Sequence, residues 1–128
     1  MRKFIKNKKG AAMVEIAIVL PILTMIVFGF IYFTIIMKEA LVIQTAAREG
    51  ARNHAIYAEP YEARAVAEEE LSRGQVSGAV AIPTFGHEHR GMRVEKDIVL
   101  SIPFADIHTF TISREVMIHP AAEATWED

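Results

Sequence analysis

Apolar residues follow three different patterns along this chain, and the first is an unbroken run. Residues 16–37 carry no charge, and as a helix rising about 1.5 Å per residue this run of roughly 22 residues can cross a bilayer. A buried helix of a soluble domain would need apolar partners on every side, which the short, polar remainder cannot supply. A cleavable signal peptide would have a shorter apolar region ending in a small-x-small site, whereas Met37, Lys38 and Glu39 follow here. The run therefore predicts one transmembrane helix.

Beyond the span, apolar residues recur at spacings of three and four, which predicts that the helix continues outside the membrane. The stripe consists of Ala40, Leu41, Ile43, Ala47 and Ala51. Small residues at 46 and 50, or at 47 and 51, would let a second backbone approach closely. We predict helix packing through Ala46, Ala47, Gly50 and Ala51, although alanine also favours helices that have no such contact.

The rest of the chain predicts a second helix and a small sheet. Pro60 ends the first helix or begins another, and residues 61–73 are loosely periodic up to Gly74. After Gly78 the period becomes two, which is typical of strands. The alternating residues are Val80 and Ile82; Val94, Ile98, Leu100 and Ile102; and Phe110, Ile112, Val116 and Ile118. We predict an α+β fold with about three antiparallel strands, the first two joined by a loop over residues 85–91.

The distribution of charge predicts how the chain is oriented in the membrane and, together with the apolar run, where its three segments lie. Five cations and no acidic residue precede the span, whereas the charges just after it nearly cancel. Cationic flanks stay in the cytoplasm, so the C-terminal part is expected outside. We predict a basic leader over residues 1–10, a transmembrane helix with its extension over 11–58, and a small extracytoplasmic domain over 59–128.

The junction between the leader and the span contains an acidic residue, Glu15, at the edge of the bilayer. A carboxylate deep in a bilayer without a partner costs a few kcal/mol, so its presence indicates a function. If the chain is cut after Gly10, the new α-amino group of Ala11 lies one helical turn from Glu15, and a neighbour's amine could lie equally close. Opposite charges in that setting attract strongly, which would fix the register between subunits.

A basic leader ending in glycine, a glutamate five residues later and a long apolar helix resemble the processing site of type IV prepilins. The resemblance is closest to the TadE-like pseudopilins of tight-adherence (Tad) pili. Residues 10–21 resemble the opening of that family, and residues 44–52 resemble its second signature, just beyond the membrane. Ile16 stands where the family commonly has an aromatic residue.

The resemblance implies a minor pilin that a membrane prepilin peptidase cuts between Gly10 and Ala11. It implies a role in assembling a Tad-type pilus or secretion filament for adhesion. The expected partners are the peptidase, other pilins or pseudopilins and the assembly platform of the inner membrane. The expected location is the cytoplasmic membrane and, after processing, the pilus. The alternative is an uncut single-pass adaptor or sensor with an extracytoplasmic binding domain, which would leave Gly10 and Glu15 unexplained.

Candidate chemistry is sparse, so we predict neither an enzyme nor a cofactor. There is no cysteine, no recognisable nucleophile arrangement and no phosphate-binding loop. His87 and His89 would face the same way on an extended segment and could hold a metal with further ligands from His54, His108 or His119. That spacing matches no established zinc motif, so an exposed polar loop without metal is the favoured interpretation.

A nucleic-acid partner is not expected either. The basic leader is short and carries the charge of a cytoplasmic flank. Five of the 14 Lys and Arg residues lie in the leader, so the remaining nine stand against 16 acidic residues. The external domain is therefore acidic, which suits solubility or a basic neighbour in an assembly.

Overall fold

The structure, a computed structural model, describes residues 2–100 and 108–119, and the side chains of residues 10–99 and 108–119. It contains helix α1 (Arg2–Tyr57), helix α2 (Pro60–Arg73) and strands β1 (Ala79–Phe85), β2 (Arg90–Leu100) and β3 (His108–Ile118). The α+β class and the antiparallel three-stranded sheet are confirmed. The contacts divide the chain into two compact units, residues 1–37 and 38–128, and α1 contributes to both.

The apolar part of α1 is a candidate membrane span. The helical stretch Gly10–Tyr57 is long and apolar enough to cross a bilayer, and the side chains of its most apolar part are exposed on the chain. Two hydroxyls inside it are satisfied by the helix itself. Thr24 donates to the carbonyl of Leu20 at 2.8 Å, and Thr34 donates to that of Phe30 at 2.9 Å. Such bonding removes the cost of placing a hydroxyl in hydrocarbon.

A tight corner connects the two helices. Ala58 takes the left-handed conformation with φ 61°, and Pro60 occupies the first position of α2, where its missing N–H would have no helical partner. The helix ends at Gly74, whose N–H donates to the carbonyl of Glu70 at 2.9 Å. The prediction that Pro60 begins a helix and Gly74 follows its end is confirmed.

The sheet has the order β1-β2-β3, with both pairs antiparallel. Strand β1 continues through Pro83 to Phe85, further than the alternation before Pro83 predicted. It can do so because β1 is an edge strand, where a residue without an N–H need not interrupt a ladder. The predicted loop over residues 85–91 is correspondingly shorter, since the strands leave only residues 86–89 between them. Ile102 and the tail after Pro120 lie outside the described residues.

The core lies between one face of the sheet and the two helices. It consists mainly of small side chains: Ala46, Ala47, Ala51, Ala63, Ala67 and Ala81, with Ile43, Leu71, Val76, Met92 and Val94. The core begins at Ile43 on α1, beyond the apolar run. The opposite face of the sheet carries Arg93 and Glu115 on adjacent strands and remains open to solvent.

Candidate functional site

The predicted cleavage point lies inside α1, at an exposed position. Gly10 and Ala11 are both exposed, and a Cβ atom built on Gly10 would meet no heavy atom within 4 Å. Packing of the described residues therefore does not require a glycine here. Glycine in a helix costs about 1 kcal/mol relative to alanine, so Gly10 locally favours unwinding. Local unwinding is what a peptidase needs to reach a peptide bond within a helix.

Glu15 follows Ala11 by four residues, so the two share one face of α1. Its carboxylate is exposed, and among the side chains that the structure describes it has no hydrogen-bond or ion-pair partner. Its neighbours Val14 and Ile16 are exposed and apolar. The chain thus presents a charge on an apolar helix surface without neutralising it within the described part.

The four residues predicted to pack, Ala46, Ala47, Gly50 and Ala51, are all buried in the compact unit that begins at Lys38. The closest approach is at Gly50. A Cβ atom there would lie 3.0 Å from Cβ of Ala67 and 3.0 Å from Cγ of Met92. Helix α2 and strand β2 of the same chain therefore occupy this face of α1. These four residues are not available to a second subunit while the domain is folded.

The opposite side of the same segment is exposed and polar. Gln44, Thr45 and Arg48 lie there, and the Thr45 hydroxyl donates to the carbonyl of Leu41 at 3.0 Å. Arg48 has no polar partner among the described residues. The second signature thus combines a small buried face, which holds the domain together, with an exposed face on which a neighbouring protein could act.

Two contacts between α1 and β2 carry no local sequence signal. Lys96 Nζ donates to Glu39 Oε1 at 2.7 Å, and the buried His54 donates its Nδ1–H to the carbonyl of Gly91 at 3.0 Å. The His54 ring also meets the ring of Phe85 edge to face, with centroids 5.0 Å apart. Each contact joins residues far apart in sequence, so only the folded arrangement reveals it. His54, a candidate metal ligand by sequence, is buried in the core, and its Nε2 has no hydrogen-bond partner among the described residues.

Charged side chains elsewhere are largely paired with each other. On α2, Arg64 pairs with Glu68, and Arg73 pairs with Glu69 and Glu70. On the outer face of the sheet, Arg93 Nη2 donates to Glu115 Oε2 at 2.8 Å. This hydrogen bond lowers the pKa of the Glu115 carboxyl, and the same contact raises the pKa of Arg93. These exposed pairs leave the acidic run of α2 partly neutralised.

The histidines of the sequence motif lie at one end of the sheet. Within the described residues no three His, Asp or Glu side chains are already arranged to hold a metal ion. His89 lies against His119, whereas His108 begins β3 at its other end and His54 is buried. Of the three further ligands considered from the sequence, His119 contacts His89, whereas His54 contacts Phe85 and Gly91 from within the core.

Comparison with known proteins supports the resemblance seen in the sequence. Residues 10–52 match the model of a family described as TadE-like protein. The matched segment begins at the glycine of the proposed cleavage site and ends with the second signature, before α2. No curated protein and no solved structure gives a significant match to the chain. Residues 10–52 are therefore similar to the TadE-like family, and the match covers about a third of the chain.

Proposed function

We propose that this chain is a minor pilin, or pseudopilin, that a prepilin peptidase cuts after Gly10. The mature protein takes part in the assembly of a Tad-type pilus or secretion filament used for adhesion. The observation that carries the proposal is Glu15, an exposed carboxylate on the apolar helix of a TadE-like segment, with no partner among the described side chains. A charge in that position costs free energy unless something outside the chain, or created by processing, neutralises it.

Processing supplies such a group. Cutting after Gly10 removes five cations and leaves the α-amino group of Ala11 one helical turn from Glu15. A neighbouring subunit would bring its own amine to the same level of the bilayer. Two opposite charges about 4 Å apart in a low-dielectric setting attract by several kcal/mol before desolvation is subtracted. The pair would therefore fix the axial register of one subunit on the next.

The proposed location is the cytoplasmic (inner) membrane, with a cytoplasmic N-terminus and the unit after residue 37 outside. The charge difference across the span supports this orientation. The proposed partners are the prepilin peptidase, other pilins or pseudopilins and the assembly platform in the inner membrane. The exposed face of residues 44–52 is a surface that such partners could bind. This role requires no catalysis and no cofactor from the chain itself.

The test is the mass of the intact protein from cells with and without an active prepilin peptidase. We expect residues 1–10 to be absent only when the peptidase is active. Gly10→Leu should abolish the cut, and Gly29→Leu is the matched control, because both glycines are exposed on α1 with open space around them. Retention of residues 1–10 in the presence of the peptidase would favour the uncut adaptor or sensor instead.

A further inference from the structure

Strand β2 runs antiparallel to the extension of α1, residues 38–57. Three contacts between the two elements set this direction, and they join His54 to Gly91, Gly50 to Met92, and Glu39 to Lys96. The residue number therefore falls along α1 as it rises along β2. The last residues of β2, 98–100, and their partners at the start of β3, 108–110, lie beyond Lys96 in the direction of residue 38. We call these six residues the hairpin end.

The hairpin end reaches the level at which the apolar run of α1 stops. A strand rises about 3.3 Å per residue, so the four residues after Lys96 extend roughly 13 Å. Glu39 follows Met37, the last residue of the uncharged run, by only two residues of continuous helix, or about 3 Å. Even at an inclination of about 40° to α1, the end of β2 passes the level of Met37 by roughly 7 Å. If residues 16–37 span a membrane, this level lies in its headgroup layer, which is about 5–8 Å thick on each side.

The side chains of the hairpin end suit such a layer. None of the six residues is Asp, Glu, Lys or Arg, whereas the middle of the outer sheet face carries Arg93, Glu95 and Glu115. The side chain of Val99 is 61% exposed and that of Phe110 is 39% exposed. Because Phe110 pairs with Ile98, the residue next to Val99, these two side chains lie on opposite faces of the sheet. Apolar surface is therefore exposed on both faces of the hairpin end, a pattern typical of a contact with another apolar medium.

We propose that the hairpin end inserts into the headgroup layer of the membrane that α1 spans, so that Val99 and Phe110 contact lipid. The contact stays at this depth because β3 is an edge strand, whose outward N–H and C=O groups need water or headgroups as partners. The inference rests on the membrane span of the proposed function, but not on cutting or pilus assembly. Residues 101–107, which connect the two strands, lie outside the described residues and are not part of the proposed site.

Fluorescence of the full-length chain in vesicles of phosphatidylcholine and phosphatidylglycerol tests the contact. A polarity-sensitive fluorophore is attached to a single cysteine, and part of the lipid carries a doxyl quencher near the headgroup end of its acyl chain. Val99→Cys is the test position. Met117→Cys is the matched control, because Met117 is 46% exposed on the same face and pairs with Gly91 at the other end of β2. Phe33→Cys, within the apolar run, is the reference for the span.

We expect blue-shifted emission at position 99 and at least about threefold more doxyl quenching there than at position 117, which lies roughly 26 Å further along the sheet. Iodide in solution should quench the label at position 117 more strongly than the label at position 99. Quenching by doxyl lipid at position 33, with equally weak quenching at 99 and 117, would overturn the proposal and leave the span intact. Absence of quenching at position 33 would overturn the span and the proposal together. A blue shift at position 99 without doxyl quenching, lost on dilution of the protein in lipid, would show that a second copy of the chain covers the hairpin end instead.

Discussion

Lys96 and Glu39 form an ion pair of 2.7 Å between Nζ and Oε1 that joins strand β2 to helix α1. Only 12% of the Lys96 side chain and 20% of the Glu39 side chain are exposed, so the pair is shielded from most of the solvent. Glu39 lies at the start of the second compact unit, two residues after Met37. The pair therefore fixes the first turn of the α1 extension against the sheet.

Removing either member of this pair should destabilise the second compact unit. In a double-mutant cycle with Glu39→Gln and Lys96→Met, we expect a coupling free energy of about 1–2 kcal/mol, between the values for exposed and buried pairs. Denaturant unfolding would measure it. The control cycle uses Arg64 and Glu68, whose side chains are about half exposed. That pair should couple by less than about 0.5 kcal/mol, and equal coupling in both cycles would contradict the structural importance of Lys96.

A large residue at position 50 should disrupt the contact between α1 and α2. Gly50→Leu places atoms where Ala67 and Met92 already lie, so we expect the free energy of unfolding to fall by about 1–3 kcal/mol. Gly29→Leu, the same change on the same helix with nothing within 4 Å, should leave the domain unaffected. Thermal unfolding in detergent would compare the two, and similar midpoints would show that Gly50 is not a close contact.

Lowering the pH should weaken the ion pair between Arg93 on β2 and Glu115 on β3. The hydrogen bond from Arg93 lowers the pKa of Glu115, so its stabilising effect is complete above the ordinary carboxyl pKa and is lost as pH falls through the lowered value. Arg93→Gln should return the Glu115 pKa towards its ordinary value, as followed by carboxyl ¹³C NMR. Arg64→Gln, which removes the exposed partner of Glu68, is the control and should not change it.

Replacing Glu15 should separate insertion, cutting and assembly. Glu15→Val removes a charge from an apolar helix, so we expect normal insertion and continued cutting. The amine of Ala11 would then lack its partner, and surface pili should be lost while processed protein accumulates in the membrane. Glu15→Asp should be intermediate because its reach is shorter. Pilus counts beside immunoblots would measure this, with Glu62→Val as a control outside the span. Normal piliation by Glu15→Val would refute the pairing.

The sequence contains no cysteine, so single introduced cysteines should report the orientation of the chain. Ser77→Cys adds an exposed thiol between α2 and β1, and Asn7→Cys adds one in the leader. In spheroplasts lacking the peptidase, a membrane-impermeant maleimide should label Ser77→Cys directly and Asn7→Cys only after lysis. The reverse pattern of labelling would invert the proposed topology.

The elements that the sequence predicted are those with strong local signals. The uncharged run over residues 16–37 identifies the span by length alone, and the fixed backbone angle of Pro60 identifies the start of α2. Alternation at residues such as Ile112 and Val116 identifies the strands. The predicted end of β1 at Pro83 was too early. A proline is tolerated in an edge strand, and the local sequence does not show whether a strand lies at an edge.

Contacts between distant residues could not be predicted in the same way. The Lys96–Glu39 pair and the bond from His54 to Gly91 depend on how α1 lies against β2. His119 was one of three histidines that could accompany His89, and only the strand register distinguishes it from the others. Gly10 and Glu15 are the opposite case. Their motif is evident in the sequence, and the structure supplies only the observation that they are exposed.

The alanine-rich core restricts the size of the side chains that the second compact unit can accept. Ala46, Ala47, Ala51, Ala63 and Ala67 have no exposed surface, and a methyl group on Gly74 would collide with Val42. Selection at such positions acts on volume before it acts on hydrophobicity, because the backbones are too close to admit a larger side chain. Serine should be accepted there more readily than leucine, contrary to the usual order for buried sites. Substitutions at these positions are therefore limited to residues with small side chains.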